Sequence, residues 1–279
     1  MNGYSSLPDD EMPYPRVCAH RGFSELLPEN SLLALAAAIA AGAHEIEFDV
    51  WESKDGVLVL CHDPNLARIA LNQSGTVRDL TYKVIMQADI GSKVSPLLKG
   101  LHLATLDEAL ALNANRAVIN MHIKSPNPAN GYDPNTFRSI IAAIDRHGSR
   151  RHVYISGAAD VLKVALEEAP DITRNCLERK ETFDIVDNAV KYRCKKLQFF
   201  RTYSKENIDK AHANGIICNY CNTEDPQKAS ELFELGIDTV MTNSPWLILR
   251  HSMILHDRSS NYTNVNELAF HILVYFHQN

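Results

Sequence analysis

The chain has 279 residues, 45% of them hydrophobic, and a formal net charge of −6 at pH 7. This length suits one large domain with a sizeable core, and the acidic balance without a basic stripe argues against nucleic acid as a partner. With no run of about 20 apolar residues and no apolar secretory signal near its start, we expect no stable membrane anchor. Six scattered cysteines in apolar segments predict reduced core cysteines in a cytoplasmic protein.

Short apolar runs alternate with helical patterns along the chain, which is typical of βαβ units and a parallel sheet. The predicted strands are residues 16–20, 44–50, 117–123, 152–156, 172–177, 196–200, 216–221 and 239–242. The predicted helices are residues 31–41, 106–112, 135–147, 160–168, 181–191, 205–214 and 226–235. This alternation predicts an α/β fold, a closed TIM (β/α)8 barrel over residues 16–250. We expect an N-terminal segment at 1–15 and a C-terminal extension at 251–279 with a helix at 266–276.

A further apolar run, Val57–Cys61, follows the second strand too closely to be a parallel barrel strand, because a parallel crossover needs about a dozen residues or more. Asp55 and Gly56 lie between the two runs, and Asp-Gly is typical of a two-residue hairpin turn. We therefore predict that the run folds back antiparallel to the second strand. This pairing would place Asp49 and His62 opposite each other at the barrel mouth.

Residues 64–103 lack barrel periodicity. They are predicted to form a small insertion lobe over the C-terminal rim, where barrel enzymes carry the loops that shape a substrate site. The apolar side chains of its second half are expected to pack inside the lobe; they are Ile90, Val94, Leu97 and Leu98.

Polar residues suited to phosphate chemistry fall at or beside predicted strand ends, where a barrel forms its active site. They are His20, Arg21, Glu47, Asp49 and His62. Glu47 and Asp49 are two apart on a strand and so share a face, and such neighbouring carboxylates call for a cation such as Mg²⁺ or Ca²⁺. That ion would polarise a phosphoryl oxygen. His20 and His62 could exchange protons, and Arg21 offers a donor fork for a phosphate.

The stretch from His20 to Asp63 closely resembles the glycerophosphodiester phosphodiesterases. The matching motifs are AHRG at 19–22, PENS at 28–31, GAHEIEFDV at 42–50, SKDGVLVLCHD at 53–63 and TNSP at 242–245. The resemblance implies a TIM barrel with a small inserted lobe that hydrolyses glycerophosphodiesters to sn-glycerol 3-phosphate and an alcohol. It also implies a mechanism in which the glycerol 2-hydroxyl attacks phosphorus and water then opens the cyclic phosphate.

Carried over position by position, the resemblance implies that His20 and His62 are the catalytic pair, without indicating which is the first base. It implies that Arg21 contacts the phosphate. It also implies that Glu47 and Asp49 are the first two metal carboxylates.

The fourth-strand motif departs from the family, in which a Glu-x-Lys pattern carries the third metal carboxylate. Here His122 stands in the place of the Glu, ahead of Lys124. His122 either ligates the metal, which would favour Mn²⁺ or Zn²⁺, or lies beside a water in that place, or marks a site that has lost its metal and activity. Lys124 is expected to contact the phosphate or the metal carboxylates, or to form an ordinary salt bridge at the barrel mouth.

Two other positions bear on the substrate site. Glu29 either supports the site through a hydrogen bond to His20 or is an N-terminal helix residue favoured by the helix dipole. Cys221 aligns with an aromatic residue that is usual in the family, so the packing of the substrate headgroup is expected to differ.

Three functions stay open from the sequence. The first is hydrolysis of small-molecule glycerophosphodiesters such as glycerophosphocholine. The second is lysophospholipase D-like or phosphoinositide phospholipase-like action on lipid phosphodiesters. The third is a catalytically impaired homologue that binds phosphoesters. The leaving alcohol and the oligomeric state are not indicated.

Overall fold

Eight parallel strands form a closed barrel in the computed structural model, which describes residues 7–177, 185–200 and 202–251. The strands are β1 (Arg16–Ala19), β2 (Glu45–Glu52), β3 (Leu58–Leu60), β4 (Val118–Ile123), β5 (Val153–Gly157), β6 (Thr173–Leu177), β7 (Lys196–Phe200), β8 (Ile217–Cys221) and β9 (Thr239–Thr242). β1 pairs with both β2 and β9, which closes the ring, whereas β3 pairs antiparallel with β2 outside it. The predicted TIM barrel is confirmed.

Helices surround the barrel and follow its strands. They are α1 (Leu32–Ala40), α2 (Tyr82–Ile85, within the insertion), α3 (Leu106–Asn113), α4 (Pro134–Arg146), α5 (Ala159–Glu168), α6 (Ile185–Lys191), α7 (Lys205–Ala213) and α8 (Pro226–Leu235). Every predicted strand and helix within the described residues is present, with small shifts at its ends. The start of the predicted helix at 181–191 and all of that at 266–276 lie outside the described residues. The predicted domain boundaries stay predictions.

Polar side chains at the helix starts explain why the helices begin where they do. Ser31 caps α1 by accepting a hydrogen bond from the N–H of Ala34. Thr105 and Glu108 form a capping box at the start of α3. No helix in the described ranges is both long and apolar enough to cross a bilayer.

The β2–β3 hairpin has a register one residue away from the prediction. Val50 pairs with Leu60, and the N–H of Cys61 donates to the carbonyl of Asp49 at 3.0 Å. Asp49 therefore lies opposite Cys61, and the predicted pairing of Asp49 with His62 is wrong.

The turn itself causes this shift. Ser53 N–H donates to the carbonyl of Val57 at 2.8 Å, so three residues form the loop rather than two. Gly56 ends that loop with a φ of 83°, the left-handed conformation that a three-residue hairpin loop needs at this position. The same Asp-Gly pair suits both loop lengths, and the longer loop moves every later residue by one place.

The insertion between β3 and α3 packs with the β2–β3 hairpin in one apolar cluster. Its buried members are Trp51, Val59, Cys61, Leu66, Ala70, Val77, Ile85, Ala88, Ile90 and Leu103. Ile90 is buried as predicted, but Val94 is 51% exposed and Leu97 is 95% exposed. The prediction that these two pack inside the lobe is wrong. Leu97 lies in a short 3-10 helix at Pro96–Leu98 and Val94 in the turn before it, and both side chains face solvent there.

The N-terminal end of the barrel is filled by a buried ion network. Asp9, which lies ahead of β1, pairs with Arg16 at 2.6 Å and with Lys196 at 2.7 Å. Glu45 pairs with Arg16 at 2.9 Å and accepts the hydroxyl of Tyr154 at 2.6 Å. This end of the interior is therefore closed by paired charges, and the polar residues singled out in the sequence lie at the other end.

The described cysteines are free and buried, as predicted for core residues. Cys218 and Cys221 are three apart on β8, so they lie on opposite faces of that strand and do not form a dithiol site.

Candidate active site

The paired strands β2 and β4 bring the predicted metal ligands together. Asp49 on β2 stands in register with His122 on β4, and Glu47 lies two residues before Asp49 on the same face. The ligand atoms of Glu47, Asp49 and His122 all lie within 4.8 Å of one another. The strand pairing therefore assembles a group of two carboxylates and one imidazole that the sequence distributes over 76 positions.

Asp49 lies at the centre of this group. Its Oδ1 lies 2.8 Å from the Nζ of Lys124 and 3.0 Å from the Nδ1 of His122. Its Oδ2 accepts a hydrogen bond from the Nδ2 of Asn30 at 3.0 Å and lies 3.6 Å from the Nε of Arg21. Burial alone would raise the pKa of Asp49, but Lys124 and His122 outweigh burial and hold this pKa well below its usual range.

Glu47 is also buried but has fewer polar partners than Asp49 among the described contacts. Burial and the neighbouring charge of Asp49 raise the pKa of Glu47 above its usual range. The backbone N–H of Arg21 donates a hydrogen bond to its Oε2 at 3.0 Å. A cation between the two carboxylates would relieve both the burial and the repulsion.

The backbone after β1 takes a left-handed turn that aims Arg21 at this pair. Arg21 has a φ of 57° and Gly22 a φ of 79°. A Cβ on Gly22 would lie 2.5 Å from the backbone carbon of Ala34 in α1, so a glycine is needed for this close approach. The turn directs the N–H of Arg21 to Glu47 and leaves its guanidinium beside Asp49.

The two predicted catalytic histidines are held by different partners. The Nδ1 of His20 lies 2.8 Å from the Oδ1 of Asn243, and the Nδ1 of His62 lies 2.7 Å from the Oδ1 of Asp63. Burial, followed by the charge of Arg21, lowers the pKa of His20 from 6.5 to about 4. Burial also lowers the pKa of His62, although the charge of Asp49 and the hydrogen bond with Asp63 oppose it.

His122 faces the site as the strand pattern predicts. Burial, followed by the charge of Lys124, lowers the pKa of His122 to about 4. The ring is therefore neutral at pH 7, which is the form that ligates a metal.

Glu29 bridges the β1 end and the insertion lobe instead of contacting His20. It accepts a hydrogen bond from Arg21 Nη1 at 3.1 Å and from Arg68 Nη1 at 2.9 Å. Arg68, in the lobe, also pairs with Asp63. The expected hydrogen bond from Glu29 to His20 is wrong, because two guanidinium groups offer this carboxylate stronger, charge-assisted bonds.

Several residues of the site were missed from the sequence. Asn30 holds Asp49 by two hydrogen bonds, one to Oδ2 and one from the backbone N–H. Asn243, directly after β9, holds His20, and Glu224, after β8, holds Asn243. The signal that could have found them is their position: each is a polar residue in a loop at the C-terminal end of a barrel strand.

Comparison with known proteins gives a family and relatives for the chain. A model of the glycerophosphoryl diester phosphodiesterase family matches residues 20–247. A glycerophosphodiester phosphodiesterase of Caldanaerobacter subterraneus subsp. tengcongensis is 28% identical over 232 residues, covering 82% of this chain and 94% of that protein. A glycerophosphodiester phosphodiesterase of Arabidopsis thaliana is 27% identical over 238 residues, covering 83% of this chain and 71% of that protein.

Solved structures share the fold. A phosphodiesterase of Oleispira antarctica, in complex with the product sn-glycerol-3-phosphate, has a TM-score of 0.78 at 23% identity, covering 86% of this chain and 97% of that one. A glycerophosphodiester phosphodiesterase of Agrobacterium tumefaciens has a TM-score of 0.72 at 23% identity, covering 86% of this chain and 100% of that one.

Proposed function

The chain belongs to the glycerophosphoryl diester phosphodiesterase family and is an enzyme that hydrolyses glycerophosphodiesters, and from this premise we propose that His20 and His62 are its acid–base pair. The products are sn-glycerol 3-phosphate and an alcohol. One observation carries the proposal: the Nδ1 atom of each ring contacts a neighbouring side chain, which is Asn243 for His20 and Asp63 for His62. Each Nε2 is left to exchange a proton with the substrate.

The partners of the two rings assign their first roles. Asn243 offers a neutral amide oxygen, so His20 stays uncharged and is the first base. Asp63 offers a carboxylate, which opposes the burial that lowers the pKa of His62 and leaves His62 more easily protonated than His20, so His62 is the first acid.

The reaction then takes two steps. The glycerol 2-hydroxyl gives its proton to His20 and attacks phosphorus, while the bond to the leaving alcohol breaks and His62 protonates that oxygen. A water molecule next gives its proton to His62 and attacks the cyclic phosphate, while His20 returns its proton to the 2-hydroxyl oxygen. Both histidines end as they began.

The family depends on divalent metal ions, and we propose that Glu47, Asp49 and His122 hold one. The three ligand atoms lie close enough together, and the raised pKa of Glu47 is what a buried carboxylate without a neutralising partner would have. When bound, the ion would polarise a phosphoryl oxygen. Two carboxylates favour Mg²⁺ or Ca²⁺, and the imidazole of His122 also allows Mn²⁺ or Zn²⁺.

Arg21 and Lys124 are the cations proposed to contact the phosphate. Both stand beside Asp49, at 3.6 and 2.8 Å, so they lie at the same barrel end as the metal ligands. The planar fork of Arg21 suits two phosphate oxygens, whereas Lys124 supplies a point charge.

A panel of glycerophosphodiesters tests the proposal. Glycerophosphocholine, glycerophosphoethanolamine and glycerophosphoinositol are supplied with each divalent ion, and released glycerol phosphate is measured. We expect turnover that EDTA abolishes and that His20→Ala and His62→Ala each reduce by about 100-fold or more. Full activity in either variant would contradict the pair.

One observation favours lipid phosphodiesters as a second substrate class. A cavity of about 150 Å³ lies beside Glu29 and Arg68 and has Leu27, Ile90 and Val94 in its wall. These apolar side chains, which share the cavity with the charged Glu29, Arg68 and Lys93, would contact the part of an acyl chain nearest the site. A lysophospholipid compared with glycerophosphocholine decides this point, because a higher kcat/KM for the lysophospholipid is expected only if the cavity holds the chain.

A further inference from the structure

Glu224 lies in the loop between β8 and α8 and collects hydrogen bonds from the segment after β9. Its Oε2 accepts the backbone N–H of Asn243 at 2.8 Å and that of Ser244 at 3.2 Å. Its Oε1 accepts the side-chain Nδ2 of Asn243 at 2.6 Å and that of Asn222 at 2.8 Å. One carboxylate oxygen therefore holds the backbone of this segment, and the other holds the amide side chain that contacts His20.

The orientation of the Asn243 amide decides which nitrogen of His20 carries the proton. With its oxygen towards His20, the amide accepts from Nδ1–H, which leaves Nε2 as a base. With its NH₂ group towards His20, the amide would donate to Nδ1, and the proton of His20 would have to sit on Nε2.

Only one partner of the amide imposes an orientation among the described hydrogen bonds. Ser24 Oγ lies 2.9 Å from Asn243 Oδ1 and 2.7 Å from the carbonyl oxygen of His20. It has a single proton, so it can donate that proton to the carbonyl and accept from an NH₂ group equally well. His20 Nδ1 can also donate or accept. Glu224, as a carboxylate, can only accept, so the Asn243 NH₂ group must face it.

We propose that Glu224 is a positioning residue for the hydrolysis: by holding the Asn243 amide with its oxygen towards His20, it fixes the tautomer in which Nε2 of His20 is the base. This inference rests on the proposed role of His20. Glu224 acts through Asn243 and has no contact of its own with His20 among the described hydrogen bonds.

Glu224→Gln tests the orientation because the glutamine has one fixed choice. The backbone N–H of Asn243 has Glu224 as its only acceptor among the described hydrogen bonds, whereas that of Ser244 also has Thr242 Oγ1. The glutamine oxygen therefore turns to the Asn243 N–H, and its NH₂ group faces the Asn243 side chain. Asn243 then has to turn its own oxygen away from His20. We expect kcat to fall by about 10- to 100-fold with KM unchanged.

Asp225→Asn is the matched control. It removes one negative charge from the adjacent residue, and asparagine caps α8 as well as aspartate does. We expect wild-type kcat and KM from this variant.

The double variant Glu224→Gln with Asn243→Asp distinguishes two roles of Glu224: orienting the Asn243 side chain and only supporting the structure of the loop. The carboxylate introduced at position 243 can accept from both the glutamine NH₂ group and His20 Nδ1–H, so the Nδ1–H tautomer of His20 is restored. Because this carboxylate also raises the pKa of His20, kcat is compared at a pH above that raised pKa, where Nε2 is again a base. We expect each single variant to be impaired and the double variant to recover most of kcat. If Glu224→Gln does not fold, the comparison of Asn243→Asp with the double variant carries the same test. A double variant no better than the singles would overturn the proposal.

A second readout does not depend on turnover. ¹⁵N NMR of the histidine rings reports which nitrogen is protonated, and the His20 signal is identified as the one absent in His20→Gln. We expect Nδ1–H in the wild type and Nε2–H in Glu224→Gln. The same tautomer in both proteins would overturn the inference even if no substrate of the enzyme were found, and a change would support it in that case too.

Discussion

At the scale of single residues, His122 is the proposed ligand that would set which ion the site prefers. It faces Asp49 at 3.0 Å, where the family pattern has a carboxylate. An imidazole in place of a carboxylate lowers the negative charge of the ligand group by one and admits softer metals.

The proposed ligation therefore predicts that the metal preference changes with this residue. We expect His122→Glu to shift activity on glycerophosphocholine towards Mg²⁺ and Ca²⁺ and away from Mn²⁺ and Zn²⁺. His122→Gln, which removes the imidazole without adding charge, is the control and should weaken all four. An unchanged metal profile in His122→Glu would show that His122 is not a ligand.

The same histidine makes stability depend on pH. The pKa of His122 is lowered in the folded state to about 4, whereas the unfolded chain binds the proton near 6.5. Above pH 6.5 the ring is neutral in both states, so His122 does not reduce the free energy of unfolding. As the pH falls from 6.5 towards 4, proton binding to the unfolded chain reduces this free energy by about 1–3 kcal/mol. We expect the unfolding free energy of the metal-free wild type to fall more steeply over this range than that of His122→Gln. Parallel curves would contradict the lowered pKa.

At the scale of elements, the junction of β1 and α1 shows why the site needs a glycine. Gly22 and Gly42 both have a positive φ, at 79° and 85°. A Cβ on Gly22 would overlap the backbone of α1, whereas a Cβ on Gly42 would meet nothing within 4 Å.

These two glycines form a matched pair. Gly42→Ala should cost only the strain of a left-handed alanine, about 1–2 kcal/mol. Gly22→Ala should cost clearly more, because α1 must move, and should also lower kcat by displacing Arg21 and His20. Equal melting temperatures in the two variants would contradict the close approach.

The elements also show what the sequence could predict. Hydrophobic periodicity and the Asp-Gly turn placed all eight barrel strands and the hairpin, because these signals are local. The hairpin register could not be predicted, since Asp55 and Gly56 suit a loop of two or three residues equally. Asn243 and Glu224 were missed as site residues because their function comes from contacts across strands: Asn243 meets a histidine 223 positions earlier.

At the scale of the whole molecule, the barrel separates stability from chemistry. The ion network of Asp9, Arg16, Glu45 and Lys196 fills the N-terminal end, and the candidate active site occupies the C-terminal end. In such barrels the residues at the N-terminal end usually serve stability, and those at the C-terminal end usually form the active site.

Removal of one partner from the network should therefore affect stability alone. Asp9→Ala leaves Arg16 and Lys196 buried with one carboxylate between them, which should cost about 3–5 kcal/mol. Asp10→Ala, beside it, breaks only an exposed pair with Arg151 and should leave the melting temperature unchanged. Both folded variants should keep the wild-type kcat. A loss of kcat in folded Asp9→Ala would contradict the separation of the two ends.

The central claim is that His20 and His62 act as base and acid, and one comparison of leaving groups tests it most directly. kcat/KM is measured for the wild type, His20→Ala and His62→Ala on glycerophosphocholine and on the p-nitrophenyl ester of glycerol phosphate, whose leaving group needs no protonation. We predict that His62→Ala loses far less activity on the nitrophenyl ester than on glycerophosphocholine, whereas His20→Ala loses the same on both. Equal losses on the two esters for His62→Ala, or the reverse pattern, would contradict this account.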